Sequence, residues 1–200
     1  MFPLGTVLFP SVFLPLHVFE PRYLSLVRRV LDGDGEFGVV LIERGSEVGG
    51  ADTRTNVGTV ARILEATELE DHRWVIGAVG VRRLRVREWL DDDPFPRADV
   101  ADWDDRDPSP PSDEIYAGTV RRLRRVLALS SELGDPGPPS TVELTDDPVL
   151  GTYQLAAIAP FGPADQQRIL AIEGCEDRLG LVASLLEDEA DVLERRITMG

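Results

Sequence analysis

The sequence contains no lysine, and all 21 of its basic side chains are arginine. Because a guanidinium group stays protonated near neutral pH, the chain offers no side-chain amine as a nucleophile, a Schiff base or a general base. A phosphate-binding P-loop also needs a lysine. The absence of lysine therefore excludes catalysis by a side-chain amine and P-loop nucleotide chemistry in this chain.

Cysteine and long apolar runs are also scarce. The single cysteine, Cys175, excludes an internal disulfide and suits a reducing compartment. No apolar run approaches the ~20 residues that span a bilayer. Prolines interrupt the N-terminal apolar stretch, which has no basic segment before it and no cleavage site of small residues. We expect a soluble, cytoplasmic protein.

The chain carries a net charge of −15, and the excess of acid is concentrated in its second half. Residues 1–100 hold 16 acidic and 12 basic side chains, whereas residues 101–200 hold 20 and 9. A field of this sign repels nucleic acid and anionic membranes, so neither is an expected partner.

The first half of the chain is predicted to be rich in β-strands, with one early helix. Pro21 in a first turn, apolar residues at helical spacing and a following Gly33 predict a helix over Glu20–Leu31. Glu70–His72 is predicted as a hairpin loop. Apolar runs and alternation predict five or six strands, at Val7–Phe9, Val12–Leu14, Phe37–Ile42, Val57–Leu69, Arg73–Trp89 and Phe95–Val100.

The second half has the apolar period of helices. Residues 104–113, "DDRDPSPPSD", are polar and proline-rich, and we interpret them as a linker between a β-rich part (1–103) and a helical lobe (114–200). The fold class is therefore α+β. Helices are predicted around Ile115–Leu133, Asp147–Ala159, Pro163–Ile172 and Glu176–Ile197.

The candidates for catalysis are few. The stretch "LPLHVFEPRY" contains His17, Glu20 and Arg22 close together in sequence. Nucleophilic catalysis also needs a serine or cysteine within reach of such a base, and the stretch contains neither. His72 lies in the charged hairpin loop and is predicted to be a plain exposed residue. Cys175 lies among acidic residues, which raise a thiol pKa, so we expect it to be inert.

Three other motifs have a structural interpretation that outweighs the chemical one. "GDGEFG", Gly33–Gly38, matches G-x-G-x-x-G, but it follows a helix and precedes a strand, the reverse of the dinucleotide-binding order. Asp91–Asp93 is predicted as a solvated turn, and no residues have metal-ligand spacing. Arg83, Arg85 and Arg87 share one face of a strand, either solvated and paired with acids or in contact with an anion or an acidic peptide.

The segment Leu16–Tyr23, "LHVFEPRY", matches the signature L-x-I/V-F-E-x-R-Y, which enters a helix after two proline-punctuated apolar strands. Similar segments follow along the chain, at Phe37–Ile42, Val57–Ile63, Val79–Val86, Gln166–Leu170 and Asp177–Leu179. On these residues the chain resembles the Lon protease N-terminal domain, also called the Lon substrate-binding domain.

The resemblance implies a PUA-like pseudo-β-barrel of about six strands with one early helix, followed by a C-terminal helical bundle. Full-length Lon adds an ATPase and a Ser-Lys peptidase. A chain of 200 residues without lysine is expected to hold neither, and so to be a stand-alone bacterial member of the family. The implied function is non-enzymatic recognition of unfolded or client polypeptides, as a substrate-recognition or adaptor module that also has a protease as a candidate partner.

No residue is predicted to be catalytic, cofactor-binding or metal-binding, and no cofactor is expected. The contact residues and the oligomeric state are not identified. The expected binding surface is an apolar groove between barrel and helices, with exposed sheet edges and loops as secondary candidates. Two alternatives stay open, namely a barrel that binds a small molecule or nucleotide and a hydrolase that uses His17 or His72.

Overall fold

The structure is a computed structural model that describes residues 1–45, 53–106 and 109–199. The chain divides into two compact units, Met1–Asp104 and Asp105–Gly200, which we call unit 1 and unit 2. The predicted linker over 104–113 includes residues 107 and 108, which lie outside the described residues.

Unit 1 consists of a sheet and one helix. Its elements are β1 (Phe2–Leu4), β2 (Phe13–Val18), α1 (Pro21–Leu31), β3 (Glu36–Arg44), β4 (Thr53–Glu68), β5 (Trp74–Leu90) and β6 (Arg97–Asp102). The strands form one six-stranded sheet in the order β1-β3-β4-β5-β2, and β6 pairs with β5. β1 is parallel to β3, and the other pairings are antiparallel.

The longest strand, β5, organises the sheet. One edge of β5 pairs with β4, and the opposite edge pairs first with β2 and then with β6. β4 and β5 are irregular at two places, between Val60 and Ala61 and between Ile63 and Glu65. Bulges of this kind bend and twist a strand, so the sheet curves around its core.

The core of unit 1 lies between α1 and the concave side of the sheet. α1 buries Tyr23, Leu26, Val27 and Val30, which recur at helical spacing. The ring of Phe2, on β1, stacks on that of Tyr23 with centroids 4.2 Å apart. The amphipathic helix therefore supplies one wall of the core.

One predicted strand is wrong. Val7–Phe9 is irregular in the structure, and the first strand is Phe2–Leu4, which was not predicted. Pro10 has no N–H to donate, and Ser11 adopts a positive φ of 63°, so the chain turns here instead of extending. The buried Leu8 carbonyl accepts a hydrogen bond from the side-chain hydroxyl of Thr59, on β4, instead of from a backbone N–H as in a β-ladder.

Unit 2 is helical. Its elements are α2 (Asp113–Glu132), α3 (Pro148–Ile158), α4 (Pro163–Leu170) and α5 (Cys175–Met199). Ser112 and Asp147 cap α2 and α3 by accepting hydrogen bonds from backbone N–H groups of the first turn. The four predicted helices and the α+β class are confirmed. None of the described helices has the length and apolar character to cross a membrane.

A buried ion pair anchors the start of unit 2. The Arg178 side chain is fully buried and donates to both carboxylate oxygens of Asp105, at 3.1 and 2.7 Å. It also donates to the Thr152 hydroxyl at 3.0 Å, and its guanidinium lies 4.0 Å from the centroid of the Tyr153 ring. Arg178 thus joins α5, α3 and the segment that precedes α2.

Candidate functional site

The histidine, glutamate and arginine of the N-terminal stretch make separate contacts. His17 lies on β2, with its ring edge-on to that of Phe19 at 6.3 Å. Glu20 precedes α1 and accepts a hydrogen bond from Arg22 at 3.2 Å, and the Arg22 guanidinium lies 4.5 Å from the centroid of the Tyr23 ring. The stretch joins β2 to α1.

His72 and the glycine-rich motif Gly33–Gly38 lie in turns between elements of the sheet and helix. His72 lies in the exposed β4–β5 hairpin loop, with Nδ1 3.2 Å from Glu68. Gly33–Gly38 turns from α1 into β3, and Gly35 has the positive φ of 76° that such a turn requires. Among the described residues, no three His, Cys, Asp or Glu side chains converge as metal ligands.

Cys175 is buried at the first position of α5. Burial raises the pKa of its thiol, and the positive charge of Arg178 only partly opposes this effect. We therefore expect the native protein to resist labelling by a thiol reagent at neutral pH and to take up one label per chain once unfolded in urea. Rapid stoichiometric labelling of the native protein would contradict this placement.

The arginines of β5 are not uniformly solvated. Arg83 is buried, so its interpretation as part of a solvated face is wrong. The guanidiniums of Arg83 and Arg85 lie 4.6 and 5.4 Å from the centroid of the Trp103 ring, where cation–π attraction stabilises them. Leu84 and Val86 are buried on the opposite face, as the alternation predicted.

The outward face of β2, β5 and β4 carries a set of largely apolar side chains. Side chains alternate along β2. Leu14, Leu16 and Val18 face the core, and Phe13, Pro15 and His17 face outward. Register then aligns three outward rows across the strands. The rows are His17–Val75–Thr67, Pro15–Gly77–Glu65 and Phe13–Val79–Arg62. We call these nine residues, together with Leu64 at the β4 bulge and Phe19 just after β2, the β2 surface.

The β2 surface exposes more apolar side chain than the rest of unit 1. Four of the seven exposed large hydrophobic residues that the structure describes in unit 1 belong to it: Phe13 (54 % exposed), Phe19 (54 %), Leu64 (62 %) and Val75 (47 %). Soluble domains rarely leave large apolar side chains clustered in water unless the cluster binds something. This surface is therefore the candidate site.

A glycine shapes the centre of the β2 surface. A Cβ at Gly77 would lie 3.0 Å from the tip of the Phe13 ring and 2.9 Å from Oε1 of Glu65. The ring and the carboxylate therefore lie over the Gly77 backbone from the two neighbouring strands. Apolar and acidic contact groups are adjacent at this point.

β2 is also an edge strand, and it borders a cavity. Among the described residues it pairs only with β5. Gly80 N–H donates to the Val12 carbonyl, so by the alternation of an antiparallel ladder the peptide groups of Phe13, Pro15 and His17 point to the open edge. A cavity of about 180 Å³ lies there, lined by residues of β1, β2 and the start of α1 that include Leu4, Phe19 and Tyr23.

The charged groups around the β2 surface are mostly paired. Arg62 donates to Glu36 at 2.7 Å, and Glu68 lies 3.9 Å from Arg28 and 3.2 Å from His72. Burial alone would raise the pKa of Glu36, but hydrogen bonds from Arg82 and Arg62 hold it below its usual value.

β2 provides an exposed sheet edge, the kind of surface that was the secondary candidate for binding, and binding there stays a prediction. The groove predicted between the β-rich and helical parts stays a prediction. No individual contact residue was predicted from the sequence, although the alternation Phe13-x-Pro15-x-His17 in a short strand indicates that these three side chains share one face. Contributions from Leu64 and Val75 depend on strand register, which the sequence does not show.

Comparison with known proteins gives a consistent result. Residues 1–188 match the family described as the ATP-dependent protease La (LON) substrate-binding domain. The chain is 26 % identical over 194 residues to Lon protease 2 of Herpetosiphon aurantiacus, covering 96 % of this chain and 24 % of that protein. It is 24 % identical over 195 residues to the Lon protease of Escherichia coli K12, covering 96 % of this chain and 25 % of that protein. The chain thus spans about a quarter of the length of these relatives.

Solved structures show the same architecture. The crystal structure of a Lon N-terminal domain protein from Xanthomonas campestris has a TM-score of 0.68 and 26 % identity, with 92 % of this chain and 95 % of that chain covered. The N-terminal domain of the Mycobacterium avium complex Lon protease has a TM-score of 0.60 at 16 % identity, covering 93 % of this chain and 97 % of that chain, and so supports the fold alone.

Proposed function

Since the chain belongs to the family of the ATP-dependent protease La (LON) substrate-binding domain, we propose that it binds unfolded polypeptide through the β2 surface and catalyses no reaction of its own. The observation that carries the proposal is the cluster of exposed apolar side chains on one face of the sheet. A segment that covered Phe13, Leu64 and Val75 would remove their apolar area from water, at roughly 25 cal/mol per Å².

The open edge of β2 supports the same function. The outward peptide groups of Phe13 and His17 can pair with the backbone of an extended segment, which is how peptides add to exposed sheet edges. Pro15 interrupts the edge because it has no N–H, so this pairing is limited to a few hydrogen bonds. The cavity beside the edge can hold an apolar side chain of the bound segment.

The alternatives have less support. The apolar void inside unit 1, lined by core residues such as Leu16, Val27 and Ile76, is about 10 Å³, room for a single water at most. The core void therefore has no room for a small molecule, and a ligand of unit 1 would have to occupy a surface cavity such as the one of about 600 Å³ lined by Met1, Arg29 and Arg97. Among the described residues, the contacts of His17 and His72 involve no serine, threonine or cysteine, as a hydrolase would need.

A Lon-type protease in the reducing cytoplasm is the partner that family membership favours.

A binding experiment with two double variants tests the proposal. A fluorescently labelled, reduced and carbamidomethylated protein of near-zero net charge serves as the unfolded client. We expect the Leu64→Ser/Val75→Thr variant to bind it about ten-fold more weakly than the unmodified chain, because two exposed apolar anchors each contribute ~1 kcal/mol or less. Fluorescence anisotropy measures the dissociation constants.

The control is Leu90→Ser/Val100→Thr, which makes the same replacements at exposed positions of unit 1 outside the β2 surface. We expect it to bind as the unmodified chain does, and both variants to keep the circular dichroism spectrum of the unmodified protein. Equal loss in the two variants, or no binding by the unmodified chain, would sink the proposal.

A further inference from the structure

Glu65 is a carboxylate set within an apolar surface. It lies on β4 opposite Gly77, in the row that also contains Pro15. Its Oε1 lies above the Gly77 backbone beside the tip of the Phe13 ring. Leu64, the most exposed large apolar side chain of the β2 surface, precedes it at the bulge. No ion pair to Glu65 occurs within the described part of the chain.

The other charged groups at or near this surface have partners of opposite sign. Arg62 binds Glu36 through both Nε and Nη2. Glu68, at the end of β4 in the core-side row of Val18 and Trp74, is shared by Arg28 and His72. Glu65 is therefore the carboxylate of the β2 surface left to meet an incoming group, and the whole chain adds a field of net charge −15. The charge of the surface is complementary to a cation.

We propose that the occupant of the β2 surface is an unfolded segment in which arginine or lysine stands next to apolar residues, and that Glu65 accepts the hydrogen bond of that basic side chain. This inference rests on the proposed function and adds the class of client. The aliphatic stem of an arginine or lysine can pack on Phe13 and Leu64 while its charged end reaches the Glu65 carboxylate. The Phe13 ring also offers a cation–π contact.

Peptides of matched apolar content test the inference. Two labelled peptides share one sequence of leucine and phenylalanine residues, and differ only in having arginine or glutamate at the flanking positions. We expect the full chain to bind the arginine peptide at least five-fold more tightly, because the glutamate peptide meets like charge. The Glu65→Gln variant is expected to bind the arginine peptide about two- to five-fold more weakly than the unmodified chain does. Its affinity for the glutamate peptide is expected to be unchanged or slightly higher.

Glu88→Gln is the matched control, because it removes the same charge from an exposed position near the other end of β5. The Glu88→Gln variant is expected to keep most of the preference for the arginine peptide. Added salt is expected to reduce that preference in the unmodified chain, because it screens the charges. Equal affinity for the two peptides would overturn the inference and leave the proposed function standing. A preference that persists in full in Glu65→Gln would also overturn it. Failure of both peptides to bind would overturn the proposed function and the inference together.

Discussion

Replacing Arg178 with alanine is expected to lower the free energy of unfolding of unit 2 by about 3–5 kcal/mol, since it leaves the carboxylate of Asp105 largely buried without its partner. The variant also loses the hydrogen bond to Thr152 and the stacking on Tyr153. Truncation beyond Cβ also leaves a cavity beside Cys175.

Urea denaturation followed by circular dichroism measures this loss. The control is Arg122→Ala, which breaks the exposed ion pair between α2 and Glu187 on α5. Exposed pairs of this kind contribute no more than about 1 kcal/mol, so the control is expected to unfold close to the unmodified chain. Similar shifts for the two variants would mean that Arg178 is not the buried anchor described here.

Gly80→Ala is expected to destabilise unit 1, at the upper end of the about 1–3 kcal/mol that over-packing costs. A Cβ at this position would lie 2.2 Å from the Phe9 carbonyl oxygen, which is backbone and cannot swing aside. The Gly80 peptide groups also hold the turn before β2 by accepting from Ser11 at 2.8 Å and donating to Val12 at 3.0 Å. Relief of the clash would therefore break these bonds.

Gly180→Ala is the matched substitution with the opposite expected sign. Gly180 lies on the exposed side of α5 with nothing within 4 Å of an added Cβ. Alanine there is expected to stabilise unit 2 by about 0.5–1 kcal/mol, because it restricts the unfolded chain and favours the helix. The urea midpoints of the two variants should move in opposite directions, and a shift of both to lower urea would contradict the account.

Periodicity predicted most elements because each depends on local pattern. The amphipathic spacing of α1 and the alternation in β4 and β5 identify those elements without tertiary information. The predicted strand at Val7–Phe9 was wrong because its apolar residues suit a buried irregular segment equally well. Its conformation depends on the Ser11 turn and on the Thr59 hydroxyl, which is distant in sequence.

Long-range contacts explain what the sequence could not predict. Arg178 looks like a surface residue of a helix, and its partner Asp105 lies 73 positions away. Arg83 lies on the same face of β5 as the exposed Arg85 and Arg87, so spacing alone does not distinguish them. Its burial depends on the packing of Trp103 against it. The β2 surface requires the register of three strands, including the bulge that projects Leu64. None of these relations follows from local spacing.

Chemical-shift mapping of a bound polypeptide tests the central claim most directly. In ¹H–¹⁵N spectra of the full chain, titration with an unfolded client is expected to perturb the amides of three segments, Phe13–Phe19, Leu64–Thr67 and Val75–Val79, with Pro15 contributing no signal. These segments come together only through the sheet described here. Perturbations confined to unit 2, or spectra that do not change at saturating client, would contradict the assignment of polypeptide binding to the β2 surface.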